Sequence, residues 1–238
     1  MQNKEKVIID GETTKKVYLC DMKNIILDFD GTIGNTQRLI VKTLQDTMQC
    51  MHLDITSDEE CTKTIGLRLD EAFMKLFPIS QEFATKCADT YREIFEHNKQ
   101  EIEVSPFPHV IETIQSLYEE AFTLAIASSR GHESLQYYMN QMGIDKYISC
   151  IVGAEDVKHV KPAPDMVLRV LDEIGGIPSD CLVVGDTTYD IEMGKSSGTK
   201  TCGVTYGNGT YEQLSNADFV INDFAKLLQI VHTANKKQ

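Results

Sequence analysis

The chain predicts a doubly wound α/β fold, a Rossmann-like parallel sheet covered by helices on both faces, with an α-helical cap domain inserted after the first strand. Three observations carry this. Short apolar runs alternate with helical patterns from residue 122 onward, the signature of strands joined by crossover helices. Residues 35–103 hold helical patterns and no convincing strand. Polar residues able to do chemistry stand directly after the apolar runs, where open parallel sheets bind ligands.

The 238 residues are enough for one large domain or a domain with an inserted module. A net charge of −13 argues against nucleic acid or an anionic membrane as partner, but not against a small anion held by a local cation. Seven cysteines stand singly at 20, 50, 61, 87, 150, 181 and 202, without zinc-type spacing. With a polar start at 1–12, they predict reduced thiols and a cytoplasmic location. No apolar stretch reaches membrane-spanning length.

Residues 1–22 form a polar extension, either a hairpin of Val7–Ile9 and Val17–Leu19 about Asp10-Gly11, or disordered. The core domain is assigned to 23–34 and 104–238, and the cap to 35–103. The first strand is placed at Asn24–Asp28. Asn35 or Thr36 then caps a helix bearing Ile40, Val41, Leu44, Met48 and Met51 at helical spacing. Ser57-Asp58-Glu59-Glu60 has the form of a capping box. Further cap helices follow at Leu69–Phe77, stopped by Pro78, and through Phe83, Cys87, Tyr91, Ile94 and Phe95.

Pro106 and Pro108 mark the return to the core, followed by a helix over Val110, Ile114 and Leu117. Strands are expected at Phe122–Ala127, Ile148–Val152, Leu182–Val184, Thr201–Val204 and Phe219–Ile221. Helices fall between them: Leu135–Met142 closed by Gly143, Pro164 to Ile174 closed by Gly175, and Ile191–Ser197 closed by Gly198. A last helix covers Phe224–Val231.

At the end of the first strand lies Asp28-Phe29-Asp30-Gly31-Thr32. In extended backbone, residues two apart face the same way, so the two carboxylates are expected to share one site. Two neighbouring acids repel unless a cation sits between them or one stays protonated, which suits a metal-assisted nucleophile with a neighbouring acid/base. Gly31 can turn the chain and expose N–H groups, and Thr32 adds a hydroxyl. The plainer reading is a turn, since Asp-Gly is a common hairpin signal and Asp10-Gly11 has no further significance.

The remaining strand ends decide between them. Ser128, Ser129 and Arg130 follow the second strand, Lys161 precedes the Pro164 helix, and Asp186 and Asp190 follow the fourth. Singly these read as a polar strand end, a solvated lysine and helix caps. Together they are complementary: carboxylates for a hard divalent cation such as Mg²⁺, and a lysine, an arginine and hydroxyls for phosphate oxygens.

On these residues, in this order, residues 23 to about 232 resemble the haloacid dehalogenase-like superfamily, specifically its helical-cap phosphatases. The resemblance implies a Mg²⁺-dependent phosphatase that acts on a small phosphate monoester through an aspartyl phosphate. Asp28 is then the nucleophile and Asp30 the general acid/base. Ser128 and Lys161 position the phosphoryl group, with Gly31, Thr32, Ser129 and Arg130 around it. Asp186 holds the metal with Asp28 and the backbone carbonyl of Asp30, and Asp190 supports that site.

Ile65-Gly66, Tyr91-Arg92-Glu93, Pro106-Phe107-Pro108 and Gly203-Val204-Thr205-Tyr206-Gly207 are similar to the phosphoglycolate phosphatase-like branch. Arg68 is a candidate contact to an anionic leaving group, or a solvated helix-start arginine. Ile33-Gly34-Asn35-Thr36, Ser129-Arg130 and His109 depart from the branch's usual Leu-x-Asp-Ser, Asn-Lys and glycine. The expected partner is a small phosphorylated metabolite, and the protein a monomer or homodimer. Rival readings are a phosphosugar mutase of the β-phosphoglucomutase type, a pyrophosphatase, a dehalogenase and a catalytically silent binding protein. The stretch from Gly34 to Gln49 lacks the histidine usual in the mutases, which favours hydrolysis, and Asp30 supplies the acid that the dehalogenases lack.

Overall fold

The computed structural model describes residues 22–235, so the hairpin considered for the first residues lies outside the described residues. Six strands form one parallel sheet: β1 (Asn24–Leu27), β2 (Thr123–Ala127), β3 (Cys150–Val152), β4 (Cys181–Gly185), β5 (Lys200–Val204) and β6 (Phe219–Ile221), in the order β3-β2-β1-β4-β5-β6. This is a doubly wound parallel sheet, the fold class expected from the sequence. β1 pairs with β2 on one side and β4 on the other, with Leu27 opposite Ile126 and Val184. The residues just past Leu27 therefore emerge at the crevice where the winding direction changes, which is where such sheets bind ligands.

Alternation along β1 builds two cores. Ile25 and Leu27 join the larger apolar cluster, while Ile26 faces a second one with Val167, Val170 and Leu171. All three side chains are completely buried, as expected of a central parallel strand covered on both faces.

Between β1 and β2 lie α1 (Gln37–Cys50), α2 (Asp58–Thr62), α3 (Leu69–Leu76), α4 (Gln81–Glu101) and α5 (Val110–Glu119). No strand is assigned between residues 35 and 103. The α1 and α4 helices are tied by Asn98, whose amide donates to Thr43 Oγ1 (3.2 Å) and Asp46 Oδ2 (2.9 Å). The chain leaves and re-enters the sheet side by side: Asn35 N donates to Ser105 O at 2.9 Å and Phe107 N to Ile33 O at 3.0 Å. After β2 come α6 (His132–Met142), α7 (Asp165–Ile174), α8 (Thr188–Ser196), α9 (Tyr211–Leu214) and α10 (Lys226–Asn235).

Several local expectations are corrected. Thr36 stands at the N-cap of α1 but makes no side-chain cap bond. Ser57 Oγ accepts from Glu60 N, yet the Glu60 carboxylate turns to Lys63 at 2.7 Å, so only half of the capping box forms. The α8 helix starts three residues earlier than periodicity implied, because Thr187 N donates to Asp190 Oδ2 at 3.0 Å and closes the first turn. The short α9 was missed, although Thr210 and Gln213 form a reciprocal cap that the sequence displays. Where the resemblance called for glycine, His109 adopts left-handed backbone at φ 62°, and its ring nitrogen pairs with Asp223 at 2.9 Å.

Candidate active site

Asp28 continues the ladder, its N–H donating to Val184 O at 2.9 Å. The chain then curls about Phe29, whose carbonyl accepts from Thr32, Ile33 and Gly34 at 3.3, 3.0 and 2.9 Å. Extended geometry ends there. The two-residue alternation does not carry through to Asp30, and the two carboxylates diverge to different partners instead of sharing one set.

Asp28 faces a buried cluster. Lys161 Nζ lies 2.5 Å from Asp28 Oδ1 and 2.7 Å from Asp190 Oδ1, and the lysine side chain is wholly buried. Those two carboxylates raise the pKa of its ammonium despite burial, so the charge is retained. Oxygens of Asp28, Asp186 and Asp190 lie within 4.8 Å of one another. Burial pushes Asp28 up to about 7, with the charges of Asp190 and Asp30 adding and Lys161 opposing. Asp186 is likewise raised, by burial first and then by Asp190 and Asp28.

Three acidic groups round one ammonium in a buried space, two of them pushed toward holding protons, suit a hard divalent cation that would take the place of those protons. The open oxygen is Asp186 Oδ1, which is buried and has no hydrogen-bond partner. Its other oxygen, Oδ2, accepts from Asn208 N and Nδ2, both at 2.7 Å. Asp190 Oδ2 already accepts from Thr187 N and Oγ1, so Asp190 orients Lys161 more than it offers a free donor. A Cβ on Gly31 would lie 2.1 Å from Asp186 Oδ2, and one on Gly207 would lie 2.2 Å from Gly31 O. Glycine at both positions lets the backbone close round that carboxylate.

Asp30 goes the other way. Arg130 Nη2 donates to Asp30 Oδ1 at 2.6 Å, and Nε lies 3.2 and 3.1 Å from the two oxygens. Arg130 is thus committed to a carboxylate and does not stand free for a phosphate. Ser128 is buried beside β1, its Oγ accepting from Arg130 N at 3.4 Å. Ser129 Oγ donates to Gly66 O at 2.6 Å, joining the sheet edge to the inserted helices. Thr32 is buried, with an unpartnered hydroxyl. Arg68 is not drawn into the group: its guanidinium forks onto Asp70, both bonds at 3.0 Å.

Asn208, Gly207 and Tyr206 were not identified as site residues from the sequence. Tyr206 OH donates to Thr32 O at 2.9 Å, so the segment after β5 pins the Asp28–Thr32 turn as well as Asp186. Its position directly beyond a strand end is the signal that could have found it. The Tyr138 hydroxyl, buried and without a partner, had no such signal.

Comparison with known proteins shows the family. The family model described as haloacid dehalogenase-like hydrolase matches residues 25–204. The chain is 30% identical over 219 residues to "Probable phosphatase IndB" of Dickeya dadantii, covering 89% of this chain and 94% of that one. It is 29% identical over 213 residues to "Pyrophosphatase PpaX" of Halalkalibacterium halodurans, covering 89% and 97%. Among solved structures, one titled a predicted phosphatase from Clostridium acetobutylicum superposes with a TM-score of 0.82 at 23% identity, covering 89% of this chain and 98% of that one. Another, titled a predicted phosphoglycolate phosphatase from Haemophilus somnus, gives 0.76 at 24%, covering 88% and 98%. With a family match over well over half its length, this chain belongs to the haloacid dehalogenase-like hydrolases.

Proposed function

We propose that this protein is a phosphatase that hydrolyses a small phosphate ester in two steps through an aspartyl phosphate. The observation that carries the reading is Asp28, buried between the Lys161 ammonium and the open oxygen of Asp186. Phosphatase names among the relatives point the same way.

Asp28 attacks phosphorus as the bond to the leaving group breaks, and Asp30 gives that oxygen a proton. Asp30 then takes a proton from the water that attacks the aspartyl phosphate, releasing inorganic phosphate and regenerating Asp28. Lys161 holds Asp28 in place and offsets the approach of one anion to another. Ser128 orients the phosphoryl oxygens, while the N–H groups of the Gly31 turn are held within the turn by Phe29 O and Gly34 O. A divalent cation such as Mg²⁺, held by Asp28, Asp186 and the Asp30 carbonyl with Asp190 in support, would supply Lewis-acid charge neutralisation. Residues 35–103 act as the cap that excludes water and reads the leaving group.

Two substrate classes follow. A small monoester such as phosphoglycolate or a sugar phosphate is the first. Pyrophosphate is the second, favoured by the relatives named for it. Purified protein stripped with EDTA is assayed on p-nitrophenyl phosphate with and without MgCl₂, then on a panel of phosphoglycolate, sugar phosphates, nucleoside monophosphates and pyrophosphate. Turnover that depends on the metal is expected, and its absence overturns the reading in favour of a silent binding protein.

A further inference from the structure

We propose that Arg130 is a positioning residue that fixes where the Asp30 carboxylate stands toward a departing leaving group. The inference rests on the reading of Asp30 as the acid/base. It goes beyond that reading in assigning Asp30 a dedicated partner.

Arg130 presents Nε and Nη2 to one carboxylate, with distances of 2.6 to 3.2 Å, and its Nη1 donates to Ser134 Oγ at 2.8 Å. Its side chain is only 8% exposed. The guanidinium carbon lies 5.0 Å from the ring centre of Phe95, 5.4 Å from Tyr138 and 5.8 Å from Phe29. A planar cation is therefore held by rings from the turn, from α6 and from α4. Phe95 belongs to the inserted helices, so this support bridges the insert and the sheet edge.

Such an arrangement matters because Asp30 lies on a turn beyond the end of β1, where no ladder orients its side chain. An acid misplaced by about 1 Å can lose on the order of 10² in rate. A fork on a carboxylate fixes both its rotation and its direction, which a lysine's point charge does not. As the bond from phosphorus to the leaving oxygen breaks, that oxygen takes the proton from Asp30. The resulting carboxylate is left against Arg130.

The test is leaving-group dependence. Phenyl and p-nitrophenyl phosphate have nearly the same shape, but p-nitrophenolate departs without a proton whereas phenolate is far more basic. Because kcat/KM covers only steps up to leaving-group departure, hydrolysis of the aspartyl phosphate does not enter. Arg130→Met is expected to lower kcat/KM at least about tenfold more on phenyl phosphate than on p-nitrophenyl phosphate. Arg130→Lys, which keeps the charge and guards against a folding failure of the first variant, should show the same selective loss. Equal losses on both esters, no loss on either, or full rescue by lysine would each overturn the positioning role. Failure of the wild-type protein on both esters with MgCl₂ would instead overturn the phosphatase reading on which it rests.

Discussion

Lys161 Nζ and Asp190 Oδ1 lie 2.7 Å apart in a pair with no more than 1% of either side chain exposed. Asp190 in turn is held by Thr187 through its other oxygen. Breaking such a pair leaves a buried charge uncompensated. Lys161→Met is therefore expected to destabilise the ion-free protein by about 3–5 kcal/mol and to abolish turnover. Urea unfolding with EDTA present, and p-nitrophenyl phosphate assays, measure the two effects. A variant with wild-type stability would show that the ammonium is not holding the cluster together.

Asp28→Asn is expected to lose all turnover and all acid-stable phosphoenzyme signal, since an amide cannot form the aspartyl phosphate. Asp30→Asn should lose at least about 10² in kcat. Steady-state rates and mass spectrometry of quenched reactions test both. Near wild-type turnover by Asp30→Asn would remove Asp30 from the acid/base role.

The titration of Asp28 predicts how stability varies with pH. Burial raises its folded-state value to about 7, whereas the unfolded chain titrates at about 4. Between these values the folded state holds a proton that the unfolded state has released, so the ion-free protein loses this contribution as pH rises through the window. A divalent cation held by this cluster would compete with that proton. The rise in Tm on adding MgCl₂ to EDTA-treated protein should accordingly grow from about pH 5 to about pH 8. A rise independent of pH would disconnect the cation from this cluster.

Two glycines give a graded contrast. A Cβ at Gly207 would lie 2.2 Å from Gly31 O and 2.5 Å from Asp186 Oδ2, whereas one at Gly143 would meet nothing within 4 Å. Gly143→Ala should cost about 1–2 kcal/mol for its left-handed backbone alone. Gly207→Ala should cost more and also weaken the Mg²⁺-induced rise in Tm. Equal effects from the two substitutions would show that the close packing round Asp186 carries no function.

His109 sits at φ 62°, in the left-handed region that glycine tolerates best. His109→Gly should exceed His109→Ala in stability by about 1–2 kcal/mol, since both lose the Asp223 pairing and only alanine retains the backbone cost. Chemical denaturation of the pair decides it. Equal stabilities would mean that the turn relaxes.

The strands and the four inserted helices were legible because period-two and period-3.6 patterns are local properties of the chain, read directly from Ile25–Leu27 or from Ile40, Val41, Leu44 and Met48. The meeting of Asp28, Lys161, Asp186 and Asp190 was legible too, since parallel strands deliver their carboxyl ends to one edge. Arg68 was not: whether a side chain reaches a site or, as here, forks onto Asp70 depends on torsions that no spacing encodes.

The sequence by itself determined which segments are strands and helices and which charged groups follow the strands, because covalent order and hydrophobic period dictate them. Tertiary structure decided how those groups pair. Three residues past β1 the backbone has curled about Phe29 O, so Asp28 meets Lys161 while Asp30 meets Arg130. Asp186 faces Asn208 and keeps one oxygen open. Those pairings come from packing between segments up to 133 residues apart, and burial strengthens them because little water is left to screen them.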